Sequence, residues 1–196
     1  MQDLTVFIGD SVTDCDRESQ PPLGNGYVKV ISDSGRLGGE IANRGTSGHR
    51  LVDLVARWDR DVLALKPSRV SIAIGINDTW RRYDDNDPTS VEDFERNYRL
   101  VLEQTLAAGR PQLVLCEPFL LPVADEMNGW REDLDPKIDV VHRLAAEYEA
   151  VLVPFDSHFN AAAETAGMAA LAGDGIHPTE LGHGMMAELW LERVLG

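Results

Sequence analysis

The stretch LTVFIGDSVTD, residues 4–14, decides the fold of this chain. Its first half is an apolar and β-branched run closed by Gly9, a pattern typical of a short strand buried on both faces of a parallel sheet. The polar residues Asp10 and Ser11 follow at once. Because open α/β sheets bind ligands outside the carboxyl ends of their strands, this junction is the first candidate for a functional site.

Four further segments have the character of short strands: EIANRG (40–45), RVSIAIG (69–75), QLVLCEP (112–118) and VLVPF (151–155). Helical periodicity and capping residues predict helices between and after them, near 27–31 and over 50–66, 91–108, 135–150, 159–171 and 179–195. The acidic stretch 77–90 is expected to be a surface loop. The alternation predicts an α/β protein, a three-layer α/β/α sandwich with a five-stranded parallel sheet and right-handed crossovers.

The bulk properties of the chain narrow its class. Its 196 residues fit one domain, residues 1–196, and a net charge of −15 argues against nucleic acid or an anionic lipid surface as a partner. No apolar run approaches the roughly 20 residues of a membrane-spanning helix, and the start MQDLTVFIGD lacks the features of a signal peptide. We therefore expect a cytoplasmic protein with a small-molecule ligand, no membrane and no nucleic acid.

Cysteine and metal-ligand patterns are sparse. Cys15 and Cys116 are too few for a disulfide scaffold and are expected to be reduced thiols. The His, Asp and Glu residues show no spacing typical of a metal site. We expect neither a metal nor a cofactor.

Groups that support hydrolysis follow several of the predicted strands or precede the last helix: GDS (9–11), NRG (43–45), GIND (75–78) and DGIHP (174–178). Each motif alone is common, and Asn-Asp after a strand is typical of a turn. Together, and in this order, they bring four loops to one edge of the sheet. That combination points to a catalytic site.

The residue types suit acyl transfer. A serine hydroxyl such as that of Ser11 needs a base, His177 is suited to that role near neutral pH, and Asp174 is the candidate that orients the imidazole. The developing oxyanion needs donors already in place. The candidates are the backbone N–H groups of Ser11 and Gly45 and the side-chain amide of Asn77, with Gly45 a glycine because the backbone must approach the substrate closely.

On the segments FIGDSVTD (7–14), NRGTSG (43–48), IGINDTWR (74–81) and DGIHP (174–178), the chain resembles the SGNH, or GDSL-type, serine hydrolases over nearly its full length. The resemblance implies a flavodoxin-like fold, a triad of Ser11, Asp174 and His177, and an oxyanion hole of Ser11, Gly45 and Asn77. Val12 stands where many members have leucine, a packing position.

The segments FIGDSVTDC, LGNGYV, ARW, GINDTWRRYD and EPF resemble the intracellular acetylxylan esterase branch of that family. This implies an esterase that deacetylates xylo-oligosaccharides or related sugars, with Trp80 and Arg81 lining the acyl and sugar pocket, and often a homo-oligomer. Asp10 and Tyr83 are further candidates for substrate contact. Asp10 is also suited to bracing its loop, and Trp80 and Tyr83 to packing while the neighbouring arginines pair with acids.

Two alternatives remain open at this stage. One is a short-chain carboxylesterase, thioesterase or lysophospholipase of the same family, for which PFLLPV (118–123) is the candidate apolar rim. The other is a flavodoxin-like binding module without chemistry. That module needs a phosphate-cradling loop after the first strand, and the acid in GDSVTD disfavours one. His49 is equally suited to lining the site and to a helix start.

Overall fold

A computed structural model describes residues 3–17, 19 and 22–196 of the chain. This part contains five strands, β1 (Leu4–Gly9), β2 (Glu40–Gly45), β3 (Arg69–Ala73), β4 (Gln112–Cys116) and β5 (Val151–Val153). They form one all-parallel sheet in the order β2-β1-β3-β4-β5, which confirms the expected α/β class. Gly9 pairs with Gly45 on one side and with Ala73 on the other, so three strands end at the same level.

Nine α-helices lie in the described part: α1 (Ser11–Asp14), α2 (Tyr27–Asp33), α3 (Leu51–Asp61), α4 (Ile76–Asp84), α5 (Val91–Ala108), α6 (Arg131–Glu147), α7 (Phe155–Ala166), α8 (Met168–Leu171) and α9 (Glu180–Leu195). Short 3₁₀ segments cover Leu63–Leu65 and Asp125–Trp130. None of the described helices combines the length and apolarity that crossing a membrane requires.

The sheet has a core on each face, as the alternation of side chains along a strand demands. Phe7 of β1 packs in a cluster with residues of α2, α7 and α9, including Trp190. Its neighbours Val6 and Ile8 pack on the opposite face with α3, α5 and α6, including Trp58. The result is the expected three-layer arrangement, with the site residues above the carboxyl ends of the strands.

The prediction of a loop over 77–90 was wrong for its first half, which is α4. Gly75 has a φ of 134°, a conformation open to glycine, and the chain passes directly from β3 into the helix. Ile76, Trp80 and Tyr83 recur at helical spacing, and the first two join a cluster around Trp130 while Tyr83 stacks on that ring. The polar and charged residues between them concealed this periodicity.

Three helix boundaries also differ from expectation. The helix predicted over 50–66 ends at Asp61, and Lys66 beyond the 3₁₀ turn has a left-handed conformation. The helix predicted over 159–171 is divided at Gly167, whose φ is 84°. Helix α6 begins at Arg131 rather than 135, with Pro136 inside it, because Trp130 and Leu134 are buried in the same cluster and hold the preceding turn in place.

Candidate active site

Ser11 is the first residue of α1, directly after β1. The Asp10 carboxylate caps this short helix by accepting a hydrogen bond from the Val12 N–H at 3.0 Å. The helix closes at Cys15, whose left-handed conformation reverses the chain and whose N–H donates to the Ser11 carbonyl at 2.9 Å. The Ser11 hydroxyl is therefore presented at the edge of the sheet on a tightly bonded turn.

His177 and Asp174 lie in the loop before α9. The Ser11 Oγ and His177 Nε2 atoms are 2.9 Å apart, and His177 Nδ1 lies 2.6 Å from Asp174 Oδ2. The other carboxylate oxygen, Oδ1, accepts from the backbone N–H groups of Ile176 at 3.0 Å and His177 at 2.7 Å. The structure thus brings together the three residues that the sequence singled out as a triad.

Gly175 shapes this loop. Its φ of 84° favours glycine, and a Cβ there would lie 2.1 Å from the Leu121 carbonyl oxygen. The Leu121 N–H donates to the Gly175 carbonyl at 2.9 Å, which anchors the loop to the segment after β4. The position of His177 therefore depends on a backbone contact as well as on its own side chain.

The charge state of Asp174 follows from its contacts. Partial burial alone would raise its pKa, but hydrogen bonds from the His177 ring and from the N–H groups of His177 and Ile176 outweigh that effect and lower the pKa. The ionised carboxylate accepts the Nδ1 proton of His177. That tautomer leaves Nε2 free to accept the proton of the Ser11 hydroxyl.

Asn77 lies in the first turn of α4 and is 2 % exposed. Its amide donates to the His49 carbonyl at 3.0 Å, and its neighbour Asp78 accepts from the Leu51 N–H at 3.1 Å. These two bonds tie the start of α4 to the loop between β2 and α3. One amide N–H of Asn77 is thereby used in holding the loop, and the amide carries a second one.

Gly45 does not fit the donor role that the sequence suggested. Its N–H already donates to the Asn43 Oδ1 atom at 2.8 Å, and its carbonyl accepts from Arg17 at 3.0 Å. A Cβ at Gly45 would lie 2.2 Å from the backbone nitrogen of Asp14. The position requires glycine because α1 packs against β2 there, which is a structural reason rather than one of substrate approach.

Gly48, in the same loop, was missed by the sequence reasoning. Its φ of 78° lies in the left-handed region, and in the described residues its N–H has no hydrogen-bond acceptor. Asp14 holds the preceding residue by accepting from both the N–H (3.1 Å) and the hydroxyl (2.8 Å) of Ser47. The motif NRGTSG contains two glycines, and only the folded loop distinguishes the one with a free donor.

Trp80 lies beside the His177 ring, with the two ring centroids 6.2 Å apart. Arg81 places its guanidinium 5.7 Å from the Trp80 ring centroid, and its Nη2 atom lies 3.9 Å from where a Gly48 Cβ would stand. Arg81 also pairs with Asp84 at 2.5 Å. Both residues therefore stand at the site, as expected, and Arg81 is paired as well.

Two of the four substrate-contact candidates make structural contacts. Tyr83 stacks on Trp130 with centroids 5.1 Å apart, and its hydroxyl donates to the Gly129 carbonyl at 2.9 Å. Asp10 is 2 % exposed, and burial raises its pKa to about 7 although the Val12 N–H lowers it. Asp10 is thus buried and caps a helix with one carboxyl oxygen, and its contact with a substrate stays a prediction.

Arg57 is a further residue that the sequence did not single out. It is 7 % exposed and donates to the Gly9 carbonyl at 3.1 Å and the Arg44 carbonyl at 2.7 Å, so it joins the ends of β1 and β2. Its Nε–H donates to His49 Nδ1 at 3.1 Å. Burial and the Arg57 charge lower the pKa of His49, which makes this imidazole a neutral support of the loop.

No set of three or more His, Cys, Asp or Glu side chains in residues 3–17, 19 and 22–196 is arranged to hold a metal ion.

Comparison with known proteins agrees with this geometry. The model of the GDSL-like lipase/acylhydrolase family matches residues 7–185. An acetylxylan esterase from Geobacillus stearothermophilus is 37 % identical over 96 % of this chain and 92 % of its own length. The crystal structure of that organism's acetylxylan esterase Axe2 superposes with a TM-score of 0.88 at 34 % identity, covering 97 % of this chain and 93 % of the other.

Two further comparisons add detail. A structure from Parabacteroides merdae, described as GDSL-like lipase, has a TM-score of 0.90 at 34 % identity over 98 % of this chain and 95 % of that one. Structures of Axe2 include variants described as catalytic mutants, in which a serine, an aspartate and a histidine are each replaced by alanine.

Proposed function

The chain belongs to the GDSL-like lipase/acylhydrolase family and is a carboxylic ester hydrolase, and we propose that it removes acetyl groups from xylo-oligosaccharides or related sugars with Ser11 as the nucleophile. The observation that carries the proposal is the continuous chain of contacts from Ser11 Oγ to His177 Nε2, at 2.9 Å, and from His177 Nδ1 to Asp174, at 2.6 Å. This is the geometry that an activated serine needs.

In the first half of the reaction, Ser11 Oγ attacks the acetyl carbon while His177 Nε2 takes the hydroxyl proton. The tetrahedral intermediate collapses when the sugar oxygen leaves with that proton from His177, and the acetyl group stays on Ser11. A water molecule then attacks the acyl-enzyme with His177 as base, which releases acetate and restores the serine. Asp174 stabilises the imidazolium in both steps.

For the oxyanion we propose three donors: the backbone N–H groups of Ser11 and Gly48 and the second amide N–H of Asn77. Gly48 replaces Gly45 because the Gly45 N–H is bonded to Asn43 and the Gly48 N–H is free in the described part of the chain. Each such donor is typically worth roughly 10²–10³-fold in kcat. The amide contributes as a donor because its orientation is fixed by the bond to the His49 carbonyl.

A short acyl group is supported by the surroundings of His177. The centroid of the Trp80 indole lies 6.2 Å from that of the His177 imidazole and 6.0 Å from that of the Trp130 ring, on which it packs. The indole therefore limits the room beside the reacting ester. The segment 118–123, the candidate apolar rim of a lipid enzyme, has Phe119, Leu120 and Leu121 buried in the core. The lysophospholipase alternative loses that support.

The proposal is tested with acetylated xylo-oligosaccharides and with p-nitrophenyl esters of acetate, butyrate and octanoate. Wild type should prefer acetate, since one methylene in a tight pocket changes kcat/KM by about 10- to 200-fold. Ser11→Ala and His177→Ala should each remove nearly all activity and keep the fold, because triad members act as a unit. Ser157→Ala, an exposed serine bonded to the Pro154 carbonyl, is the matched control.

A Ser11→Ala enzyme that kept more than a few per cent of wild-type kcat would overturn the nucleophile. A wild type that preferred octanoate would replace the sugar-acetyl substrate by a lipid or thioester substrate, with the triad unchanged.

A further inference from the structure

A cleft of about 340 Å³ opens at the carboxyl end of the edge strand β2, beside the loop that carries Gly48. Four arginines, one aspartate and one threonine line it: Arg17, Arg44, Arg57, Arg60, Asp61 and Thr46. We infer that this arginine cleft is an anion subsite that binds the carboxylate of an acidic sugar unit in the acetylated substrate. The inference rests on the proposed function, because it assumes that the substrate is a sugar ester.

The cleft is lined by more positive than negative charge, although the chain as a whole has a net charge of −15. Its one lining acid, Asp61, is bonded to Arg60 at 2.8 Å and to Arg57 at 2.8 Å. Hydrogen bonds from Arg60 and then Arg57 lower the pKa of Asp61 to about 2 in spite of partial burial. The Asp61 carboxylate is therefore ionised and paired with two arginines of the cleft wall. The arginines therefore leave an excess of positive charge.

Arg17 and Arg44 supply that excess. The Nε atoms of both are buried and have no hydrogen-bond acceptor in the described residues. Arg17 has only a 3.7 Å contact with Asp14, and Arg44 has no ion-pair partner in residues 3–17, 19 and 22–196. The terminal guanidinium nitrogens of Arg44 have no hydrogen-bond acceptor in the described residues and are not buried in this way, so they are the donors that an oxyanion in the cleft contacts.

The wall of the cleft is rigid. Arg57 is 7 % exposed and holds the carbonyls of Gly9 and Arg44, and Arg17 holds the Gly45 carbonyl at 3.0 Å. A guanidinium group binds carboxylates through paired N–H groups in a fixed plane, which suits recognition of a uronic acid more than a freely rotating ammonium would. Arg57 and Arg17 are thus positioned before any ligand arrives.

Residues around the cleft lie close in sequence to residues of the proposed catalytic site. Thr46 lines the cleft and is two residues from Gly48, and the Gly9 carbonyl held by Arg57 is two residues before Ser11. Both sites lie at the carboxyl ends of β1 and β2. The volume of about 340 Å³ falls within the range of small-molecule pockets, roughly 300–1,000 Å³, and exceeds what a single inorganic anion fills.

The test measures binding separately from catalysis, in the full-length Ser11→Ala protein. Isothermal titration compares a xylo-oligosaccharide bearing one glucuronic acid group with a neutral one of the same length. The acidic sugar should bind about 10-fold more tightly, as expected for a charge-assisted hydrogen-bonded pair. Arg44→Gln added to this background should remove the preference. Arg96→Gln, an exposed arginine of α5 paired with Asp93, makes the same change in net charge and should keep it.

Equal affinity for the acidic and the neutral sugar overturns the inference, as does a preference that survives Arg44→Gln. Should Arg44→Gln fail to fold, Arg60→Gln, at a side chain that is 75 % exposed, takes its place with the same expected loss. Inorganic phosphate should displace the acidic sugar in competition. Phosphate binding without any preference for the acidic sugar means a site for free anions and overturns the substrate assignment.

Failure of the proposed function is recognised separately. If wild type cleaves no sugar acetate, yet the acidic sugar binds in a manner that depends on Arg44, the anion subsite stands and the deacetylation proposal falls.

Discussion

Replacement of Asn77 tests the oxyanion site most directly. The amide is 2 % exposed, and it donates to the His49 carbonyl at 3.0 Å. Asn77→Ala removes both amide donors and leaves that carbonyl without its partner. Asn77→Asp keeps the shape of the side chain but places acceptor oxygens against the His49 carbonyl and against the developing oxyanion.

Asn77→Ala should affect catalysis and stability by different amounts. Loss of one donor to the oxyanion should lower kcat by roughly 10²–10³-fold, or about 2.7–4 kcal/mol, with little change in KM because the bond forms mainly in the transition state. Leaving the His49 carbonyl unpaired should cost about 1–3 kcal/mol of unfolding free energy. Asn77→Asp should be at least as inactive as Asn77→Ala.

The assay combines kcat and KM for p-nitrophenyl acetate with urea denaturation of each variant. Asn128→Ala is the matched control, since that amide also donates to a backbone carbonyl, of Asp125 at 3.1 Å, but is exposed and lies outside the site. An Asn77→Asp enzyme more active than Asn77→Ala, or a folded Asn77→Ala enzyme that kept a tenth of wild-type kcat, would refute the donor role.

Three further predictions concern the surroundings of the site. Trp80→Ala should reduce the fall of kcat/KM from acetate to butyrate esters and weaken acetate turnover, because the indole, whose centroid is 6.2 Å from that of the His177 ring, no longer limits the pocket. The control Tyr83→Phe keeps its ring on Trp130 and should leave the acyl preference unchanged. An unchanged acyl preference in Trp80→Ala would contradict the pocket. Gly45→Ala should destabilise the fold strongly, because its Cβ would lie 2.2 Å from the Asp14 nitrogen. Gly48→Ala keeps the backbone N–H and should fold at a cost of about 1–2 kcal/mol for its positive φ, but it should lose kcat by up to roughly 10²-fold because the strained loop moves that N–H away from the oxyanion. Denaturation curves measured beside kcat separate the two effects, and a Gly48→Ala enzyme with wild-type kcat would contradict the expected displacement of the N–H. Burial raises the pKa of Asp78 from 3.8 to about 7, so between about pH 4 and 7 only the unfolded chain releases this proton, and the unfolding free energy should fall by up to about 4 kcal/mol as the pH rises. Asp78→Asn should reduce this pH dependence of the unfolding free energy, to which Asp10 contributes in the same direction. An unchanged pH dependence would show that Asp78 is not the buried acid responsible.

Much of the fold was predictable because its signals are local. Strands β1, β3, β4 and β5 are largely apolar, and the caps Ser90 and Thr179 mark the starts of α5 and α9. Helix α4 was not predicted, because its apolar positions Ile76, Trp80 and Tyr83 are separated by polar and charged residues that are typical of a loop. What makes that segment helical is burial against Trp130, more than 40 residues away, which no local pattern shows.

In the proposed catalytic site, too, some residues were predictable from local sequence and others depend on long-range contacts. Asp174 and His177 are three residues apart, so one loop sets their geometry, and their position before α9 predicts that they reach Ser11 at the end of β1. Which of Gly45 and Gly48 has a free N–H depends instead on the hydrogen bonds of the Asn43 side chain. Its amide nitrogen donates to the Thr13 carbonyl at 2.6 Å, and its amide oxygen accepts from the Gly45 N–H at 2.8 Å. A residue that looks like part of a catalytic motif is thereby used to join β2 to α1. The proposed donor is instead Gly48, whose loop is fixed by Asp14 through Ser47 and by Asn77 through His49. Since each of these bonds links segments that are distant in sequence, the oxyanion site follows from the packing of the loops and not from the motif alone.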